Sequence, residues 1–266
     1  MDSHRATTIR PVSSAESERS ASERREALKA VFAQAKSCVR CPELAATRKT
    51  VVFGSGNADA ELMFVGEAPG ANEDEQGVPF VGRAGKLLDN LLEEIGLTRG
   101  EVFVVNTLKC RPPGNRDPLP VEIENCQEYL HRQVELIEPA VICTLGNFST
   151  KLLRGDPTGI TRLHGQPQVL TLGRRAVRLY PIFHPAAALY TPRMLETLRE
   201  DFARLPELLA LGAPEQPPPR QESEIGEPPE VEAQPEDDQP PEPAGGPAVA
   251  AQAAELPVEP DQLGLF

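Results

Sequence analysis

Residues 61–70 read Glu61-Leu-Met-Phe-Val-Gly66-Glu-Ala-Pro-Gly70, an apolar run that stops in a tight turn of glycine and proline. Consecutive apolar side chains bounded by turn residues fit a strand covered on both faces. Two glycines and a proline leave backbone N–H groups free to face a ligand. Similar runs recur at Val102–Asn106, Ala140–Leu145 and Val177–Phe183. Amphipathic stretches separate or follow them at Gly85–Ile95, Val121–Ile137, Asn147–Leu153 and Met194–Leu211, with Leu87, Leu88, Leu91, Leu92 and Ile95 at helical spacing. Strands alternating with helices predict an α/β domain with a parallel sheet between helical layers. Ligands on such sheets collect at the carboxyl ends of the strands.

Composition divides the 266 residues sharply. From Gly212 to Phe266 there are 13 acidic residues, one basic residue and 13 of the 28 prolines, so nearly all of the net charge of −13 lies there. The acidic balance of the chain therefore does not argue against a nucleic-acid ligand for the rest. A segment so poor in apolar surface cannot offset its ordering entropy, which predicts a disordered, extended tail over 212–260. Residues 1–24 are rich in Ser, Ala, Arg and Glu, with no apolar stretch, and are expected to form a loose extension without a targeting signal. No run approaches a membrane span. The folded domain is expected over 25–211.

Four of the five cysteines follow the pattern Cys38-x2-Cys41, Cys110, Cys126. In a reducing compartment a thiolate quartet reads as a metal site, either an iron–sulfur cluster or zinc. Cys143 falls in the middle of an apolar run and reads as a small buried residue. The strand-end turn lacks both the G-x-G-x-x-G spacing and the Gly-Lys-Ser/Thr of nucleotide-binding loops, which argues against a nucleotide cofactor. Asn106 closes the second strand and His184-Pro185 follows the fourth. A carboxamide can donate and accept along the edge of a pyrimidine, and an imidazole can donate to an oxygen gaining charge. Phe80, in a glycine-flanked loop, is either a lid over the core or a platform for a flat base.

Together Gly66-Glu-Ala-Pro-Gly70, Phe80 with Gly82-Arg-Ala-Gly85, Asn106, the four cysteines and His184-Pro185-Ala-Ala resemble a family-4 uracil-DNA glycosylase, the iron–sulfur, thermostable type, in collinear order over roughly residues 25–210. The resemblance implies a three-layer α/β/α sandwich around a four-stranded, mainly parallel sheet. It assigns Cys38, Cys41, Cys110 and Cys126 to a [4Fe–4S] cluster. It also implies removal of uracil from single- or double-stranded DNA by flipping the nucleotide out of the stack. Phe80 would stack on uracil, Asn106 would read its O4/N3 edge, and His184 would stabilise charge on O2. Gly66, Glu67 and Ala68 would line the pocket.

Where other uracil glycosylases carry a water-positioning Asp or Asn, this sequence has Ala68. Glu73 is therefore expected either to contact water or to reject the thymine methyl. The segment Ala186–Tyr190 is either a wedge for the gap left by a flipped base or a helix start. Arg83, Lys86, Lys109, Arg111 and Arg116 are candidate phosphate contacts. The stretch 109–117 lacks His, so ordinary turnover rather than covalent trapping is expected. His164 has no assigned role.

Residues 261–266, Asp-Gln-Leu-Gly-Leu-Phe, restore apolar side chains after the acidic stretch. They resemble the bacterial sliding-clamp-binding motif, with Gln262, Leu263, Leu265 and Phe266 as the contacting residues. The expected protein is thus a monomer of the bacterial cytoplasm, associated with the nucleoid.

Overall fold

Side chains along the inner strands alternate between two apolar faces, and helices cover both. A computed structural model of the protein describes residues 21–218. Among them, six strands form one sheet: β1 (Ser55–Gly56), β2 (Leu62–Gly66), β3 (Phe103–Asn106), β4 (Val141–Leu145), β5 (Gln168–Leu172) and β6 (Arg175–Ile182). Their order is β1-β3-β2-β4-β6-β5. The helices are α1 (Ala21–Lys36), α2 (Pro42–Thr47), α3 (Ala71–Gln76), α4 (Arg83–Glu94), α5 (Pro120–Ile137), α6 (Asn147–Arg154), α7 (Ile160–Leu163), α8 (Pro185–Ala188), α9 (Pro192–Ala203) and α10 (Leu205–Ala210).

The four expected strands are β3, β2, β4 and β6, parallel to one another at the centre. Met63, Val65, Phe103, Val105, Ile142 and Leu179 face a core closed by α1 and α5. Leu62, Phe64, Val104, Val141, Cys143 and Tyr180 face the opposite core, closed by α4, α9 and α10. This is the three-layer α/β/α sandwich. Cys143 is fully buried within it, as expected.

Two antiparallel edge strands enlarge the expected sheet of four to six. β5 forms a hairpin with β6 across Gly173-Arg174, and Gly173 has φ +61°. A two-residue hairpin turn favours glycine at such an angle because an L side chain there is strained. β1 is two residues long, too short for any periodicity. The helix expected over Met194–Leu211 is instead two, α9 and α10, separated at Arg204. Pro206 sits in the first turn of α10, where its missing N–H is tolerated, whereas in a continuous helix it would remove a bond. The domain also begins earlier than expected, because α1 starts at Ala21.

The expected tail begins at Gly212, and its first residues are docked on β6. Gln216 accepts from the Ala176 N–H at 3.1 Å and donates to the Ala176 carbonyl at 3.0 Å, while Arg178 donates to the Gly212 carbonyl at 2.8 Å. Residues 1–20 and 219–266, with the expected extension, most of the tail and the motif at 261–266, lie outside the described residues. Among the described residues no helix is long and apolar enough to cross a membrane.

Sheet order also positions the site. From β2 the chain crosses one face through α4 to reach β3, and from β3 it returns over the other face through α5 to reach β4 on the far side of β2. The connections diverge at β2, which opens a crevice above its carboxyl end.

Candidate functional site

Parallel register pairs Gly66 with Asn106, so the last residues of β2 and β3 stand side by side. Thr107 N–H and Leu108 N–H donate to the carbonyls of Gly66 and Glu67, both at 3.0 Å, extending the ladder one step into the turn. Thr107 Oγ1 also donates to the Glu67 carbonyl at 2.5 Å. On the other side the Gly146 N–H donates to Ile182 O at 2.9 Å, which brings the end of β4 beside Phe183 and His184. The strand-end residues thus surround one cleft of about 420 Å³, lined by Glu67, Ala68, Glu73, Phe80, Asn106 and His184 among others. A second groove meets it at Glu67 and His184. Gly66 packs directly against two of the cleft-lining residues. A Cβ there would lie 2.8 Å from two ring carbons of Phe80 and nearer still to Asn106 Oδ1.

Asn106 is 2% exposed, yet its Oδ1 has no hydrogen-bond partner. A buried acceptor left unpaired costs about 1–3 kcal/mol, and this one belongs to a residue that lines the cleft. Phe80 carries a second cost. Its φ of 55° is unusual for a bulky residue, at roughly 1–2 kcal/mol. Several contacts hold it there. Glu73 Oε1 accepts from both the Val81 and Gly82 N–H groups at 3.0 Å. Arg99 donates to the Pro79 carbonyl at 2.5 Å. Gly85 lets α4 approach so closely that a Cβ would collide with the Phe80 carbonyl. Phe80 is thus a strained, over-determined ring at the cleft wall, as binding platforms tend to be.

His184 caps α8, its Nδ1 accepting from the Ala186 N–H at 3.1 Å. Burial pushes its pKa down to about 4, against a smaller opposing pull from Glu73. The ring is therefore neutral at pH 7. With Nδ1 accepting, its proton sits on Nε2, which becomes a donor. The ring stacks near Phe80, with centroids 5.5 Å apart and planes 24° apart. The Glu67 carboxyl is half-buried, and burial together with Asp117 raises its pKa.

All four expected ligand cysteines line one small pocket. Cys38 follows α1, Cys41 caps α2, Cys110 follows β3 and Cys126 lies in α5. Among the described residues no three His, Cys, Asp or Glu side chains converge closely enough to hold one metal ion. The sulfurs are nevertheless supplied with donors: Arg48 Nη1 to Cys110 Sγ at 3.1 Å, the Lys109 N–H to Cys126 Sγ at 3.3 Å, and Asn125 Nδ2 to Cys41 Sγ at 3.7 Å. Burial pushes the Cys126 thiol up to about 11 and raises Cys41 and Cys110. Such thiols become thiolates only beside strong positive charge, which a metal centre supplies.

The structure redistributes the expected phosphate contacts. Lys109 is 2% exposed and cannot reach a phosphate; its Nζ donates to the Asn106 carbonyl at 2.8 Å and to Gln133 Oε1 at 2.6 Å. Arg116 is held by Glu122 and Glu43 beside the cleft. Arg83 donates to Tyr190 Oη at 2.7 Å and lies over its ring, joining two rim segments through a Tyr that is 77% exposed. Residues 185–188 form the helix start α8. His164 pairs with the buried Asp201, a structural link between α7 and α9. Sequence reading missed Gln133, whose only signal was an amide on the apolar face of α5 shared by Cys126, Leu130 and Ile137.

A pocket lined by a carboxamide, an aromatic ring and a neutral imidazole, at the carboxyl ends of parallel strands, defines an α/β protein with its cleft at the sheet's carboxyl edge. The family model described as the Uracil DNA glycosylase superfamily matches residues 53–207. The type-4 uracil-DNA glycosylase of Sulfurisphaera tokodaii is 48% identical over 177 residues, covering 65% of this chain and 80% of that protein. That of Archaeoglobus fulgidus is 44% identical over 187 residues, covering 69% and 94%. That of Saccharolobus solfataricus is 46% identical over 182 residues, covering 66% and 84%. The chain belongs to the uracil DNA glycosylase superfamily.

Proposed function

We propose that this protein is a type-4 uracil-DNA glycosylase, which flips deoxyuridine out of DNA and hydrolyses its N-glycosidic bond to start base excision repair. The observation that carries the reading is the unpaired, buried Oδ1 of Asn106, opposite a strained Phe80 and a neutral His184. Uracil N3–H supplies the donor that Oδ1 lacks, and the amide NH₂ donates to O4. Phe80 stacks on the ring. Gly66 lets Phe80 and Asn106 approach its backbone closely, and the turn at Glu67-Ala68 lines the cleft beside them.

In the reaction the C1′–N1 bond breaks and uracil leaves with the electron pair as an anion, with charge on O2. Water adds to C1′ and its proton passes through solvent to the uracil anion, leaving an abasic sugar and free uracil. His184 Nε2–H donates to O2, strengthening as charge develops, which lowers the barrier rather than only tightening binding. Glu73 has Oε1 engaged in the Phe80 turn, which leaves Oε2 for a water contact or for turning away the thymine methyl. His184→Ala and Asn106→Ala should each lower uracil release from a uracil-containing oligonucleotide by about 100-fold or more. Activity within threefold of wild type in both would overturn the reading.

Cys38, Cys41, Cys110 and Cys126 hold a [4Fe–4S] cluster in this account. Soft sulfur donors spread around one pocket, three of them supplied with N–H groups, suit such a group. Its role is to brace α1, α2, α5 and the loop after β3 against one another. Residues Gln262, Leu263, Leu265 and Phe266 bind a bacterial sliding clamp, tethering a monomeric enzyme to DNA in the cytoplasm at the nucleoid. The support is the apolar ending of an acidic, proline-rich segment. Removing 262–266 should abolish clamp binding and leave uracil release intact; persistent clamp binding would sink that part.

A further inference from the structure

We propose that Lys109 and Gln133 form a buried positioning bridge that ties the cysteine quartet to Asn106. The inference rests on the proposed reading that Asn106 reads uracil, and it concerns how that residue is held. A lysine almost never lies buried without a carboxylate partner. Lys109 does so, and its side-chain hydrogen bonds go to two neutral oxygens, Asn106 O at 2.8 Å and Gln133 Oε1 at 2.6 Å. Its nitrogen also lies 5.9 Å from the centre of the Phe53 ring. A primary amine donates both bonds whatever its protonation state, so the bridge does not depend on pH.

The backbone of the same residue completes the link. Its N–H donates to Cys126 Sγ at 3.3 Å, its carbonyl accepts from the Val52 N–H at 2.8 Å, and its peptide continues into Cys110. One residue therefore touches a cysteine of the quartet with its backbone and the pocket strand with its side chain. Gln133 is fully buried and fixed from behind, its Nε2 donating to the Phe53 carbonyl at 2.9 Å. Gln133 lies two helical turns after Cys126 on the same face of α5, so that helix supplies both a quartet cysteine and the bridge's anchor. The Asn106 carbonyl is the last of β3 and is bound by this amine rather than by a further strand. Where Asn106 points thus depends on the bridge, and through it on the region that the cysteines brace.

The test uses the full-length protein purified with its iron. Gln133→Leu removes the anchor without touching a cysteine, Gln133→Glu keeps an acceptor, and Lys109→Met removes the amine. Iron content and visible absorbance report the quartet, while free uracil as a competitive inhibitor reports Asn106 directly. With iron retained, Gln133→Leu should weaken uracil inhibition and kcat/KM by a similar factor, about tenfold. Gln133→Glu should restore both to within threefold of wild type. Lys109→Met together with Gln133→Leu should be no worse than the poorer single variant, because both cut one bridge. Uracil inhibition unchanged in an iron-loaded Gln133→Leu protein would overturn the proposal, as would fully additive losses. If Lys109→Met loses its iron, the two Gln133 variants decide alone. Uracil release by the wild type stands or falls separately from all these results.

Discussion

Gly66→Ala asks whether packing against Phe80 and Asn106 is as tight as the geometry says. Gly66 has ordinary strand backbone, so alanine meets no conformational penalty there and the whole effect must come from space. The added methyl would stand 2.8 Å from Phe80 Cε2 and Cζ, and closer to Asn106 Oδ1. Carbon contacts settle near 3.5–4.0 Å, so Phe80 and Asn106 must retreat by about 1 Å. Neither gives way easily, one being held by the Glu73 turn and the other by β3 and Lys109. Overpacking of this kind costs about 1–3 kcal/mol in stability. A 1 Å displacement of groups that position a substrate costs about 100-fold in rate. Single-turnover uracil release and thermal unfolding, measured side by side, should show a loss near 100-fold with a lowered Tm. Gly100→Ala is the control, since its Cβ would meet only Thr98 Oγ1 at 3.9 Å. If Gly66→Ala works within threefold of wild type, Asn106 and Phe80 do not define the pocket.

Other outcomes follow from the same geometry. Glu73→Ala strands two N–H groups behind Phe80 and should cut kcat/KM by about 10- to 100-fold; unchanged rate and unchanged uracil-over-thymine preference would remove Glu73 from the mechanism. His184 titrates near 4 in the folded protein against 6.5 unfolded, so between those values only the unfolded chain holds the proton. Stability therefore rises with pH across that window and is lost on acidification, on the order of 3 kcal/mol from this group. Denaturant titrations of His184→Gln should show a flatter acid limb than wild type between pH 4 and 6.5, and an unchanged limb would refute the buried, neutral ring. Cys126→Ser should lose iron and visible absorbance; full retention of both would exclude Cys126 as a ligand.

Much of this architecture was legible because its signals are local. Each parallel strand is an apolar run, and three of the four lead into the cleft, so the turn after Gly66, Asn106 and His184 could be read in order. The missing pieces depend on contacts distant in sequence. β1 is too short to show a period, and β5, Gln-Val-Leu-Thr-Leu, does not alternate polar with apolar, its one clear mark being the Gly173-Arg174 turn. Lys109 looked like a phosphate contact because basic residues near a DNA site usually are. Only the packing of α5 against β3 turns it inward to Asn106 and Gln133. The left-handed backbone of Phe80 was equally invisible, since it is imposed by Glu73, Arg99 and Gly85 together.

The central claim is that Asn106, Phe80 and His184 form a uracil-excising pocket. Its most direct test is to incubate the purified protein with an oligonucleotide carrying one uracil and quantify free uracil against abasic sites. The account predicts equal amounts of both, and none from the matching thymine oligonucleotide. Intact uracil oligonucleotide after prolonged incubation with folded, iron-loaded protein would contradict it.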